Sequence, residues 1–164
     1  MQTIKNIKAV FFSPTGNTKR VVESIAGQLA QKLSVPAESD DFTLPAAHAD
    51  TRTYSAEDLV IFGVPTYAGR IPNKVLPFVQ NLFKGNETRA VAVVTFGNRS
   101  FDNSLSELHS ELEKNNFSVV AAGAVVCKHA FAEVGIGRPD ISDEERITAF
   151  AEEVFEKLQK SGGS

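Results

Sequence analysis

At 164 residues the chain fits one domain and is long enough to bury a three-layer core, with helices covering both faces of a sheet. Its 42% hydrophobic and 23% charged residues exclude a disordered chain, and a net charge of −3 gives no single-sign field that would draw a nucleic acid or an anionic membrane as partner. The lone cysteine, Cys127, excludes an intrachain disulfide, a cysteine-only zinc site and a cysteine-ligated iron–sulfur cluster within this chain.

The first apolar run, Ala9 to Phe12, is rich in Val and Phe and breaks into a loop at Ser13. It reads as a buried parallel strand. Val21, Ile25, Leu29 and Leu33 then recur at helical spacing, with Thr18 as a suitable N-cap. A weaker segment around Ala37 to Phe42 suits an edge strand, and Leu59 to Val64 is a second buried strand. Pro72 precedes a helix expected to begin near Asn73, with Val75, Val79 and Leu82 as its stripe. Ala90 to Phe96 is the next strand, followed by a helix capped by Asn103 with Leu105, Leu108 and Leu112 inward. Val119 to Val126 is the last strand and ends at Cys127, a small buried hydrophobe. Ser142, Asp143 and Glu145 open a final helix striped by Ile147, Phe150, Val154 and Leu158.

Strand followed by helix throughout implies a doubly wound α/β fold: a five-stranded parallel sheet with helices on both faces. Ligands in this class bind beyond the carboxyl ends of the strands, where strand order reverses. The domain is expected to span residues 1–160, with 161–164 (Ser-Gly-Gly-Ser) a disordered tail. No run of about 18 apolar residues and no signal-peptide core occurs, so a cytoplasmic protein is expected, without a membrane partner.

Three loops at that carboxyl edge carry the chemistry. Ser13-Pro14-Thr15-Gly16-Asn17-Thr18 brings hydroxyls and backbone N–H groups to a helix N-terminus, and Gly16 allows the turn. By itself this motif fits either a capped turn or a phosphate cradle. It resembles the T-x-T-G-N-T phosphate loop of flavodoxins, and the order of strands and helices is similar over nearly the whole chain. The resemblance implies the strand order 2-1-3-4-5 and one noncovalently bound flavin mononucleotide, FMN. Carried over by position, Ser13, Thr15, Gly16, Asn17 and Thr18 hold its phosphate; Pro14 lacks an N–H and removes one donor. In Pro65-Thr66-Tyr67-Ala68-Gly69-Arg70, Tyr67 matches the aromatic that covers one flavin face, where its electron density disfavours an anionic reduced ring. Thr95-Phe96-Gly97-Asn98-Arg99 with Phe101 and Asp102 resembles the second flavin loop, whose backbone reads the pyrimidine edge and whose aromatic, here Phe101, covers the other face.

The wording of the loops, including H-A-F and G-R-P-D further on, is similar to the flavodoxin domain fused to a two-cluster ferredoxin in some bacterial proteins. That resemblance implies electron transfer between a flavin and iron–sulfur centres, here with a separate redox protein (ferredoxin-like, or a flavin reductase) as partner, and a monomer is expected. Two departures bear on tuning. Ala68 stands where many flavodoxins have a glycine whose peptide flips toward the reduced ring, which shifts the flip to Gly69 or weakens it. Arg70, Arg99, Lys128, His129 and Arg138 fall at or near an edge that is usually acidic, and cations there favour an anionic reduced flavin and acidic partners.

His109 and His129 lack ligand spacing, so no metal is expected. The pair Asp40-Asp41 suits a phosphoryl-accepting receiver domain, but that fold needs an aspartate where Pro65 and Thr66 stand. An FMN-dependent NAD(P)H:quinone-type reductase shares the fold and much of the phosphate loop. Such an enzyme leaves its flavin open, whereas Tyr67 with Phe101 would enclose it.

Overall fold

Both faces of the sheet carry helices, which is why the strand sequences read as continuous apolar runs. The computed structural model describes residues 3–67, 69–97, 103–127 and 141–163, the last helix without the side chains of 141–143 and 161–163. In chain order these are β1 (Asn6–Phe11), α1 (Asn17–Leu33), β2 (Ala37–Asp41), a 3-10 turn (Pro45–His48), β3 (Arg52–Thr53), β4 (Asp58–Pro65), α2 (Leu76–Leu82), β5 (Phe83–Lys84), β6 (Thr88–Phe96), α3 (Ser104–Lys114), β7 (Phe117–Val126) and α4 (Ile141–Gly163). The five longer strands form one parallel sheet in the order β2-β1-β4-β6-β7. Setting aside β3 and β5, which pair only with each other, this is the expected order 2-1-3-4-5.

Alternate residues of each strand feed the two cores. Leu59 and Ile61 of β4 join Val21, Val22, Ile25 and Leu29 of α1 and Ile147, Val154 and Leu158 of α4, with buried Cys127 at the margin. Val60, Phe62 and Val64 join Val79 of α2 and Leu108 and Leu112 of α3. The edge strand β2 is polar and largely exposed, and Lys8 pairs with Glu38 across it at 2.6 Å. Charge on an exposed edge discourages pairing with another sheet.

The local expectations need three corrections. A strict alternation puts a helix between β2 and β4, and the chain instead has only the 3-10 turn and β3 there. That segment lacks a helical stripe: it is pinned by Phe42, packed on Phe83 at 4.8 Å and Phe62 at 5.7 Å, and by Tyr54 against Phe117 at 5.8 Å. α2 begins at Leu76 and not near Asn73, because the Pro72 carbonyl accepts the N–H groups of both Val75 and Leu76 and closes a turn first. Pro77 then fills the first helical turn, where its missing N–H costs nothing. Thr18 is not an N-cap, since α1 starts at Asn17 with Gly16 at the cap. The helical backbone of α4 continues to Gly163. Among the described residues no helix is long and apolar enough to cross a membrane.

Candidate functional site

The loop after β1 is shaped by its own backbone and one serine. Gly16 takes φ +90°, a conformation that costs any residue with a Cβ about 1 kcal/mol or more. Its N–H donates to the Ser13 carbonyl at 3.3 Å, and its own carbonyl accepts the first intrahelical bond from Arg20 at 3.1 Å. The Lys19 N–H donates to Ser13 Oγ at 2.9 Å, so Ser13 supplies the cap that the sequence suggests for Thr18. The N–H groups of Asn17 and Thr18 lie in the first turn, where a helix offers no backbone acceptor. No acidic residue occupies that turn, so the positive helix end is left for an external anion. The Ser13 N–H donates to Thr43 Oγ1 at 2.8 Å, tying the loop to the end of β2. Thr15 is exposed, while Thr18 is buried with its Oγ1 2.8 Å from Thr95 Oγ1. Thr18 and Thr95, both singled out by the sequence, thus spend their hydroxyls on each other and lock α1 to β6.

The loop after β4 leaves from Pro65, the strand's last residue, and stands beside the end of β6, where the Thr66 N–H donates to the Thr95 carbonyl at 2.8 Å. Tyr67 and Arg70 exchange two backbone hydrogen bonds of 2.9 and 3.0 Å around a tight turn in which Gly69 takes φ +79°. The turn lifts Tyr67 to 50% exposure, and Tyr67 and Leu44 are the large exposed hydrophobic residues among those described. Residues that sequence reasoning missed hold the turn down. Ser104 Oγ lies 2.8 Å from Thr66 Oγ1, the Asn103 N–H donates to the Gly69 carbonyl at 3.0 Å, and Glu107 accepts from both the Arg70 guanidinium and the Ile71 N–H. The only hint of this in the sequence is an acidic residue in the first turn of a helix, where the macrodipole favours it. Glu107 holds the Arg70 charge, so Arg70 is not the free cation that its place at the edge suggests. Arg70 keeps the Glu107 carboxyl below the usual carboxylate range by a direct hydrogen bond, against the opposing effect of burial.

Phe96 and Gly97 end the third strand of the site half-buried at the same sheet edge. Ala68, Asn98, Arg99, Phe101 and Asp102, with Lys128, His129 and Arg138, lie outside the described residues. Asp40 and Asp41 are taken up elsewhere: Asp40 pairs with Arg52 at 2.9 Å, and Asp41 accepts from the Thr43 N–H at 2.9 Å.

The model of the flavodoxin domain matches residues 9–129, from the middle of β1 to just past β7. The chain belongs to the flavodoxin domain family. No curated protein matches the sequence. Among solved structures, oxidised flavodoxin 2 from Bacillus cereus superposes with a TM-score of 0.65 at 15% identity, over 93% of this chain and 99% of that one. The flavodoxin of Streptococcus pneumoniae TIGR4 gives 0.61 at 21% identity, over 93% and 99%. Rubredoxin oxygen:oxidoreductase from Desulfovibrio gigas gives 0.56 at 16% identity over 96% of this chain but only 38% of that one, so the same fold also occurs within a larger chain. At these identities the likeness shows the flavodoxin fold.

Membership of the flavodoxin family implies a flavin cofactor and electron transfer. The described residues fit such a group. A turn held at positive φ, two helix-terminal N–H groups without backbone acceptors and a first helical turn free of acidic residues suit a phosphate monoester. The half-exposed Tyr67 suits a flat aromatic ring.

Proposed function

We propose that the protein binds FMN noncovalently and serves as a one-domain electron carrier between protein redox partners. The observation that carries this reading is the meeting, at one sheet edge, of an anion-ready helix terminus at 13–18 and an exposed aromatic at the tip of the next loop. Ser13, Thr15, Gly16, Asn17 and Thr18 would receive the phosphate, Thr18 through its N–H because its hydroxyl is engaged. Pro65, Thr66, Tyr67, Ala68, Gly69 and Arg70 form the first wall of the ring site. Thr95, Phe96, Gly97, Asn98, Arg99, Phe101 and Asp102 form the second. When bound, the flavin supplies the electron chemistry, taking up and releasing electrons one or two at a time. The protein binds its phosphate, orients its ring and sets the charge around it.

The loop wording favours kinship with flavodoxin domains that are fused to a ferredoxin, and a single cysteine leaves this chain without a cluster of its own. An iron–sulfur protein is then the natural partner, in a cytoplasmic setting.

Titrating the apoprotein with FMN, and separately with riboflavin, tests the reading. FMN should bind one to one, quench the flavin fluorescence, and bind roughly a hundredfold or more tighter than riboflavin, because several charge-assisted hydrogen bonds go to its phosphate. Equal affinity for the two, or no uptake, overturns it. Steady NADPH or NADH oxidation by the loaded protein with a quinone, and no added reductase, would instead establish the reductase.

A further inference from the structure

We infer that Glu107 is a positioning residue that locks the Tyr67 turn to the N-terminus of α3 and so fixes the place of the aromatic against which the flavin ring would lie. This rests on the FMN reading above and deepens it.

The two carboxylate oxygens of Glu107 are divided between neighbouring residues. Oε1 accepts the Ile71 N–H at 3.0 Å, and Oε2 accepts from Arg70 Nη2. The Glu107 side chain is 18% exposed and that of Arg70 59%, so Glu107 is the fixed member and Arg70 reaches over it from solvent. Its place in the first turn of α3 suits a permanent negative charge.

Arg70 closes the turn that presents Tyr67, through the paired backbone bonds between those two residues. Fixing Arg70 and Ile71 therefore fixes where the Tyr67 ring starts. Asn103 and Ser104 grip the same loop at Gly69 and Thr66. Residues 103, 104 and 107 lie within about one turn of helix, so one small surface of α3 holds the loop at three points. The N-terminus of α3 is thus the footing of the Tyr67 turn, and among the described residues Glu107 is the charged tie between them.

Of the three grips, Glu107 alone can be tested without disturbing the β6–α3 connection. Glu107→Ala removes both of its bonds, and Glu107→Gln keeps a carbonyl for Ile71 but cannot accept from Arg70 in the same way. FMN affinity by fluorescence titration should fall roughly tenfold or more in Glu107→Ala, in line with loss of hydrogen bonds to a charged group, and less in Glu107→Gln. The ratio of FMN to riboflavin affinity should not change, since the phosphate cradle is untouched. Amide exchange in the two apoproteins should quicken over 66–71 and 103–107 and stay as in wild type over 13–18. Wild-type affinity in Glu107→Ala, or faster exchange spread through the sheet, overturns the inference. Should the wild-type protein take up no FMN, the functional reading fails on its own. The lock is then decided by exchange alone: quickening confined to 66–71 upholds it, and no change in that segment overturns it.

Discussion

The loop of Ser13–Thr18 and the loop of Thr66–Ile71 leave the same edge of the same sheet, yet they are held in different ways. In the first, the bonds that set the turn span six positions or fewer, Gly16 to Ser13, Lys19 to Ser13 and Arg20 to Gly16, and one longer bond, from the Ser13 N–H to Thr43, ties the turn to the end of β2. In the second, the restraints on the turn come from Ser104, Glu107 and Asn103, the side-chain ties reaching 36 to 38 positions along the chain. The first loop is therefore as stable as the seat of α1 on the sheet. The second is as stable as its ties to α3. In the FMN site proposed above, the phosphate end would then be set mainly by local geometry and the ring end by anchors far along the chain.

Unseating α1 should break the first loop and spare the second. Gly63 of β4 lies directly under the helix: a Cβ there would come within 2.2 Å of Val22 Cγ2 and 3.1 Å of Thr18 Cγ2. Val22 is fully buried and β-branched, so it has little room to turn aside. Gly63→Ala should cost about 2–3 kcal/mol in urea unfolding, at the upper end of overpacking effects. Amide exchange near 13–18 should rise well beyond any change at 66–71. An equal rise in both loops would show that they are not independently held.

A smaller effect sharpens the same contrast from inside the first loop. Thr18→Val or Thr95→Val alone leaves the other buried hydroxyl without this bond and should cost about 1–2 kcal/mol. The double variant should cost clearly less than the sum, because two valines of the same shape replace the pair without leaving either hydroxyl behind. Additive losses in the double-mutant cycle would mean that the two hydroxyls do not depend on each other.

This contrast also explains what could be read from the residues before any coordinates. The strand runs follow from unbroken apolar segments bounded by turn residues, and the four helical stripes from a period of 3.6, whereas the sheet order came only from the resemblance to flavodoxins. The Ser13–Thr18 loop was legible because its geometry is local: a glycine, hydroxyls and a helix start lie together in sequence. Even so, the cap was misplaced onto Thr18. A hydroxyl can serve the helix or the sheet, and only the packing of α1 on β6 shows that Thr18 turns to Thr95 while Ser13 serves Lys19. Glu107 has only the faint signature of an acidic residue in a first helical turn, since its partners Arg70 and Ile71 become neighbours only once α3 is folded against the sheet. The missing helix between β2 and β4 was lost to the same cause, because the aromatic anchors Phe42 and Tyr54 carry no period.

The finest distinction between the loops is their response to acid. The first is closed by hydroxyl and backbone groups that do not titrate, whereas the second depends on an ionised carboxylate. Glu107 has its folded pKa held below the ordinary value of 4.5, chiefly by the Arg70 hydrogen bond, with a lesser contribution from the Ile71 N–H and against the effect of burial. A depressed carboxylate pKa stabilises the fold fully above the unfolded value, and that contribution fades as pH falls through the folded one. The stability difference between wild type and Glu107→Gln should therefore be constant near neutrality and shrink on acidification below about 4.5. Arg70 is well exposed, and solvent screening keeps the change small. Urea midpoints of the two proteins across that range, with amide exchange at 66–71 and 13–18 measured alongside, give the comparison. A difference that persists undiminished into acid would mean that the charge of Glu107 does not hold the turn.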